Sequence, residues 1–159
     1  MALAAAGCVS FEPSGAEVPD ISGRYVTTMT LSLSNVFESR TDTFAAVLDL
    51  RSGGGSRFTG SYRIPPDDSG PMAGSLAFDG TLTIDTLGTP PKTIGGVPTI
   101  RARFPWCDFT LLGESPVGGA LRGDTLGASA LGGVPCLYQV NGTTQTVHTD
   151  LFFALVGVR

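Results

Sequence analysis

At 159 residues the chain is long enough for one domain with a sizeable core, a size at which about 68–70% of the unfolded surface is buried. Charged residues make up only 15%, and the formal net charge is −4 with 10 basic residues spread thinly, which argues against nucleic acid because phosphate binding needs clustered Lys and Arg. No apolar run approaches the ~20 residues of a membrane-crossing helix. The chain is rich in Gly, Pro, Thr, Ser, Val and Phe, residues that suit strands and turns rather than helices.

The N-terminal run Ala4-Ala5-Ala6-Gly7-Cys8 resembles the lipobox of bacterial lipoproteins, in which small residues precede a lipid-modified cysteine. The resemblance implies that Cys8 becomes the mature N-terminus and carries acyl chains. The expected partner is then a membrane, reached through that anchor, and the expected location is the bacterial envelope, on its periplasmic side or the outer surface of the outer membrane. Residues 9–20 are rich in Ser, Gly, Pro and Glu and read as a flexible tether, so residues 1–20 are lipobox and tether and residues 21–159 one β-barrel domain. With Cys8 lipidated, Cys107 and Cys136 remain as an even pair for a disulfide, as expected in that compartment. Closing a loop of about 30 residues, such a bridge contributes roughly 3–4 kcal/mol. Two buried free thiols are the alternative. The bridge requires a cysteine at a strand end, because cysteines on strands separated by a third lie beyond disulfide reach; Pro105 and Pro135 supply such ends.

The first strand runs over residues 21–34, with Tyr25, Thr27, Met29, Leu31 and Leu33 on one parity. Residues 35–43 are polar and predict a loop. Phe44, Ala46, Leu48 and Leu50 then face inward, and Gly53-Gly54-Gly55-Ser56 turns the chain into a hairpin partner carrying Phe58, Gly60, Tyr62 and Ile64 inward. The Pro-rich residues 65–71 predict an exposed loop. Residues 75–85 show the cleanest alternation, with Leu76, Phe78, Gly80, Leu82 and Ile84 against Ser, Thr, Ala and Asp, and predict one strand that bends at Gly80. After a second long loop to residue 98, strands are expected at 100–104 (Ile100, Ala102 and Phe104 inward), 106–112 and, more weakly, 120–126. Residues 127–135 read as small-residue loop. Residues 136–140 pair with a last strand from about 145 to 158 across Asn141-Gly142, the strongest hairpin signal in the chain. That last strand is apolar on both parities from residue 151, as expected where both faces are covered or a strand closes a sheet. The near-identical Gly95-Gly96-Val97-Pro98 and Gly132-Gly133-Val134-Pro135 read as recurrent turn chemistry.

Strands joined mostly to sequence neighbours predict an all-β, antiparallel up-and-down barrel of about eight strands, with a two-sheet sandwich as the alternative. Gly23-Arg24-Tyr25 resembles the Gly-x-Trp that opens the first strand of lipocalin-like barrels, with Tyr25 in the aromatic position. That resemblance implies a barrel cavity for a small apolar ligand. The inward residues Tyr25, Met29, Phe44, Phe58, Tyr62, Phe78, Phe104, Trp106 and Phe153 either line such a cavity or fill it.

No chemistry-bearing constellation emerges. His148 is the lone histidine, with Asp150 as its same-face neighbour, but no serine sits in a Gly-x-Ser-x-Gly elbow. A zinc site would need three or four ligands. Asp67-Asp68 read as solvated carboxylates rather than a calcium site. Arg122-Gly123-Asp124 and Asn141-Gly142-Thr143 match short adhesion and glycosylation strings that arise by chance. No catalytic, metal or cofactor residue is assigned, and the expected function is non-enzymatic: a lipid-anchored, lipocalin-like barrel for a small apolar ligand or, alternatively, an envelope interaction protein with a filled core that acts through its loops.

Overall fold

A computed structural model of the chain describes residues 17–88, 94, 97–109 and 117–159. Eight antiparallel strands close a barrel: β1 (Gly23–Ser34), β2 (Ser39–Ser52), β3 (Arg57–Ile64), β4 (Asp68–Leu76), β5 (Thr81–Leu87), β6 (Val117–Arg122), β7 (Thr125–Val140) and β8 (Thr143–Val158). Each strand pairs with its sequence neighbours, and β8 returns to β1, with Val158 opposite Val26 and Leu151 opposite Leu33. The up-and-down barrel is therefore the observed architecture. Closure leaves the body of the sheet without open edges.

Side-chain alternation drives this arrangement. In β1 the expected set, Tyr25 to Leu33 at every second position, is buried, and it meets the buried Phe44, Ala46, Leu48 and Leu50 of β2 in register. Phe58, Tyr62 and Ile64 of β3 and Leu151, Phe153 and Leu155 of β8 join the same core, as do Met72 and Leu76 of β4 and Leu82, Ile84 and Leu87 of β5. Of the nine inward residues expected from sequence, Tyr25, Met29, Phe44, Phe58, Tyr62, Phe104 and Phe153 are buried in one cluster. The Tyr25 hydroxyl donates to the Ile21 carbonyl at 3.0 Å, so its burial leaves no orphaned polar group.

Residues 75–85 are not one strand. β4 ends at Leu76, β5 begins at Thr81, and Leu76 lies opposite Leu82 across a tight turn. Asp79 Oδ1 accepts the Thr81 N–H at 2.8 Å and Gly80 adopts φ +83°, so Gly80 makes a turn instead of bending a wall. Phe78 sits at the turn tip, 66% exposed, and lines nothing. An antiparallel hairpin keeps paired residues on one face, so the alternation continued across the turn and imitated a single strand.

Other expectations also change. The loop expected at 35–43 is already β2 from Ser39, and β4 begins at Asp68 inside the expected Pro-rich loop. The strand expected at 100–104 is a short helix, α1 (Pro98–Arg103), opened by a proline in its first turn. Ile100 is buried there but Ala102 is exposed. Asp68 Oδ2 accepts the Thr99 N–H at 2.7 Å and so holds the start of α1 against β4. Of the strand expected at 106–112, the described part is a single bridge at Cys107, and residues 110–112 lie outside the described residues. Residues 120–126 are a hairpin, β6 turning into β7 at Gly123-Asp124. The expected small-residue loop 127–135 is the middle of β7, paired to β8 throughout. The Asn141-Gly142 turn stands as expected, both residues having positive φ.

Candidate functional site

Two ends of the barrel differ. At one, residues 17–22 lead into β1: Arg159 Nη1 donates to the carbonyls of Asp20 and Ser22, and Arg159 Nη2 pairs with Asp124 at 2.8 Å. Asp20 accepts the Ser22 N–H and the Ser52 hydroxyl, which holds its carboxyl down at about 2. Arg122-Gly123-Asp124 is thereby accounted for as a turn whose aspartate anchors the final residue of β8's exit.

The opposite end is closed by a polar and aromatic cluster built from three distant segments. Asn35 organises the β1–β2 turn: its Oδ1 accepts the Phe37 and Glu38 N–H groups at 2.7 and 3.1 Å. Its Nδ2 donates to the Tyr138 hydroxyl at 2.8 Å and to Thr149 Oγ1 at 2.7 Å. Tyr138 in turn donates to Glu38 Oε1, which also accepts the Trp106 indole N–H at 3.1 Å. Every donor in this chain thus has an acceptor, and charge-assisted bonds to a carboxylate are the strong ones. The Arg40 guanidinium lies over the rings of Phe104 and Trp106, 4.9 and 5.7 Å from their centroids, and pairs with Asp42. Phe104 meets Trp106 and Phe109 edge-on.

The Cys107–Cys136 disulfide ties this segment to β7. Around it the Asp108 N–H donates to the Pro135 carbonyl and the Leu137 N–H to the Trp106 carbonyl, so residues 106–108 run antiparallel beside β7 at a single bridge. The cysteines are direct antiparallel partners, which removes the two-strand separation that would have forbidden the bond. Trp106, expected inside the barrel, is instead half-buried at this mouth. Beside it lies an open groove of about 440 Å³ between Pro105, Trp106, Pro135, Leu137 and Thr146. Leu137 is 54% exposed along it.

The remaining sequence candidates lie apart. His148 and Asp150 project from the outer face of β8, 3.9 Å apart and both exposed. Asp68 accepts the Tyr62 hydroxyl at 3.2 Å as well as the Thr99 N–H, a structural role; burial pushes the Tyr62 hydroxyl above its ordinary value, and Asp68 adds to it. Cys8 lies outside the described residues. Sequence reasoning named Trp106 and the cysteine pair but missed Asn35, Glu38, Arg40, Tyr138 and Thr149. For Asn35 a signal existed, because Asn before a short polar turn favours the bonds its side chain makes to the following N–H groups.

Compared with protein-family models, curated proteins and solved structures, the chain has no match in any of the three.

Proposed function

We propose that this chain is a non-enzymatic, lipid-anchored protein of the bacterial envelope, held through Cys8, whose barrel is a rigid stand presenting the disulfide-tied mouth to another envelope protein. The observation that carries the reading is a contrast in packing. The large inward side chains Tyr25, Phe58, Tyr62 and Phe153 are nearly inaccessible and belong to one core. The groove beside Trp106 is open, lined by Trp106, Pro105, Pro135 and Leu137 together with Asp108 and Thr146, and its indole is already held by the bond to Glu38. A fixed aromatic and two prolines beside polar groups favour protein recognition, because few of their rotamers remain to be ordered on binding.

The decisive experiment places a photoreactive residue at Leu137 and crosslinks in native membranes. An adduct with a second envelope protein is expected. Recovery of the chain only with itself counts against this reading. A fluorescent fatty acid that bound saturably, and was displaced by enlarging Phe153, would instead return the function to a barrel holding a small apolar ligand.

A further inference from the structure

The outer wall of the barrel is unevenly charged. Across four adjacent strands, residues 43–47 of β2, 26–32 of β1, 152–158 of β8 and 127–131 of β7 contain no Asp, Glu, Lys, Arg or His. The register sets their outward side chains in rows: Val47, Val26 and Val158 in one, Val156 beside Thr28 in the next, and Phe152 between Ser32 and Leu131 further along. Leu131 is 80% exposed, Val26 71%, Val156 and Val158 each 53%, and Phe152 40%. The other outward positions of the wall are Thr, Ser, Ala or Gly. Charges resume at its limits, with Arg24 and Asp49 at the tether end and His148 and Asp150 beyond Phe152.

The geometry points to a bilayer-facing flank: this wall rests on the boundary between phospholipid headgroups and acyl chains while the tether holds the barrel at the membrane. The inference rests on the anchoring read above. Three considerations choose a lipid surface as the occupant. Four strands spaced about 4.8 Å apart and roughly seven residues long cover on the order of 350 Å², less than half of the ~800 Å² per partner that a stable dimer buries. A contact too small to hold alone suffices once a tether raises the local concentration. The chain also enters the barrel beside this wall: Arg159, next to Val158, binds the carbonyls of Asp20 and Ser22. The ten residue steps from Cys8 to Val18 span at most ~35 Å, more than the ~20 Å length of the wall.

The test uses the full chain with Cys8 coupled to a maleimide-headgroup phospholipid, in nanodiscs of phosphatidylethanolamine and phosphatidylglycerol doped with gadolinium-chelate headgroups. Cys107 and Cys136 are bonded to each other, which leaves Cys8 as the coupling thiol. Amide relaxation enhancement is expected to be at least threefold larger at 26–32 and 152–158 than at 57–63 in β3. The double variant Leu131→Lys, Val156→Lys, at two exposed positions, is expected to remove that contrast with the amide spectrum otherwise intact. Equal enhancement around the barrel, or a contrast that the double variant leaves in place, overturns the proposal. So does enhancement that appears only when two chains share a disc, which assigns the wall to a second copy. The coupling supplies the anchor whatever happens to Cys8 in cells. Absence of metabolic acyl labelling at Cys8 would therefore remove the anchoring read and leave the nanodisc result to stand or fall separately.

Discussion

Tyr138 and Glu38, one hundred residues apart in sequence, share a hydrogen bond at the mouth of the barrel, and Asn35 feeds the same hydroxyl from the other side. Removing that hydroxyl leaves a part-buried carboxylate and a side-chain amide each short of a partner. Tyr138→Phe is expected to cost about 1–3 kcal/mol in urea unfolding, the usual range for a stranded buried polar group. Glu38→Ala is expected also to shift Trp106 emission to longer wavelength, since the indole N–H loses its acceptor to water.

Reducing the Cys107–Cys136 bond, which closes a separation of 29 residues, is expected to lower stability by about 3–4 kcal/mol. The local consequence separates a cross-link from a mere packing contact. Amide exchange at 106–108 should accelerate well ahead of exchange in β1 and β2, because that short segment pairs with β7 through only a few backbone bonds.

Phe78→Ser is expected to change stability by less than about 0.5 kcal/mol, whereas Phe58→Ala is expected to cost about 3–5 kcal/mol. Thermal denaturation of the two variants side by side checks the contrast. A large loss at Phe78 would mean that the 77–80 turn packs against something.

Gly80→Ala places a side chain where φ is +83° and where the new Cβ would lie 2.6 Å from the Leu121 carbonyl oxygen. That oxygen is backbone and cannot swing aside. A loss of about 1–3 kcal/mol is expected, seen as a lower urea midpoint at unchanged slope.

Asp20 should titrate with a midpoint of about 2, below its ordinary 3.8, owing first to the Ser22 N–H and then to the Ser22 and Ser52 hydroxyls. Because the folded value is the lower one, the stabilisation is present above about pH 4 and fades as pH falls from there towards 2. Carboxyl chemical shifts followed from pH 5 to pH 1.5 check the midpoint. Asp20→Asn should weaken the acid dependence of the melting temperature in that window.

The barrel was legible because its signal is a period of two, repeated in β1, β2 and β3 and tied to burial. The same period misled at Phe78, where Leu76 and Leu82 share a face across a turn; Asp79-Gly80, a turn pair in its own right, was the local cue that outweighs it. Alternation also failed at α1, where Ile100 and Phe104 stand four apart and satisfy a helix as well as a strand. Residues 127–135 carry too few large side chains to announce a strand; nine rungs shared with β8 hold them instead. The mouth cluster was mostly out of reach. Its members come from positions 35–40, 104–109 and 138–149, and only the closed barrel brings them to one place.

Because β8 pairs with β7 on one side and β1 on the other, the first and last strands of the barrel share a seam of nine residue pairs. No subset of the earlier strands can complete the cylinder. During synthesis the partly made chain must wait as an open, curling sheet with its apolar side unsealed, and ring closure waits for β8. The cylinder therefore stays unsealed for as long as β8 is missing, so the order of strands doubles as a timing device.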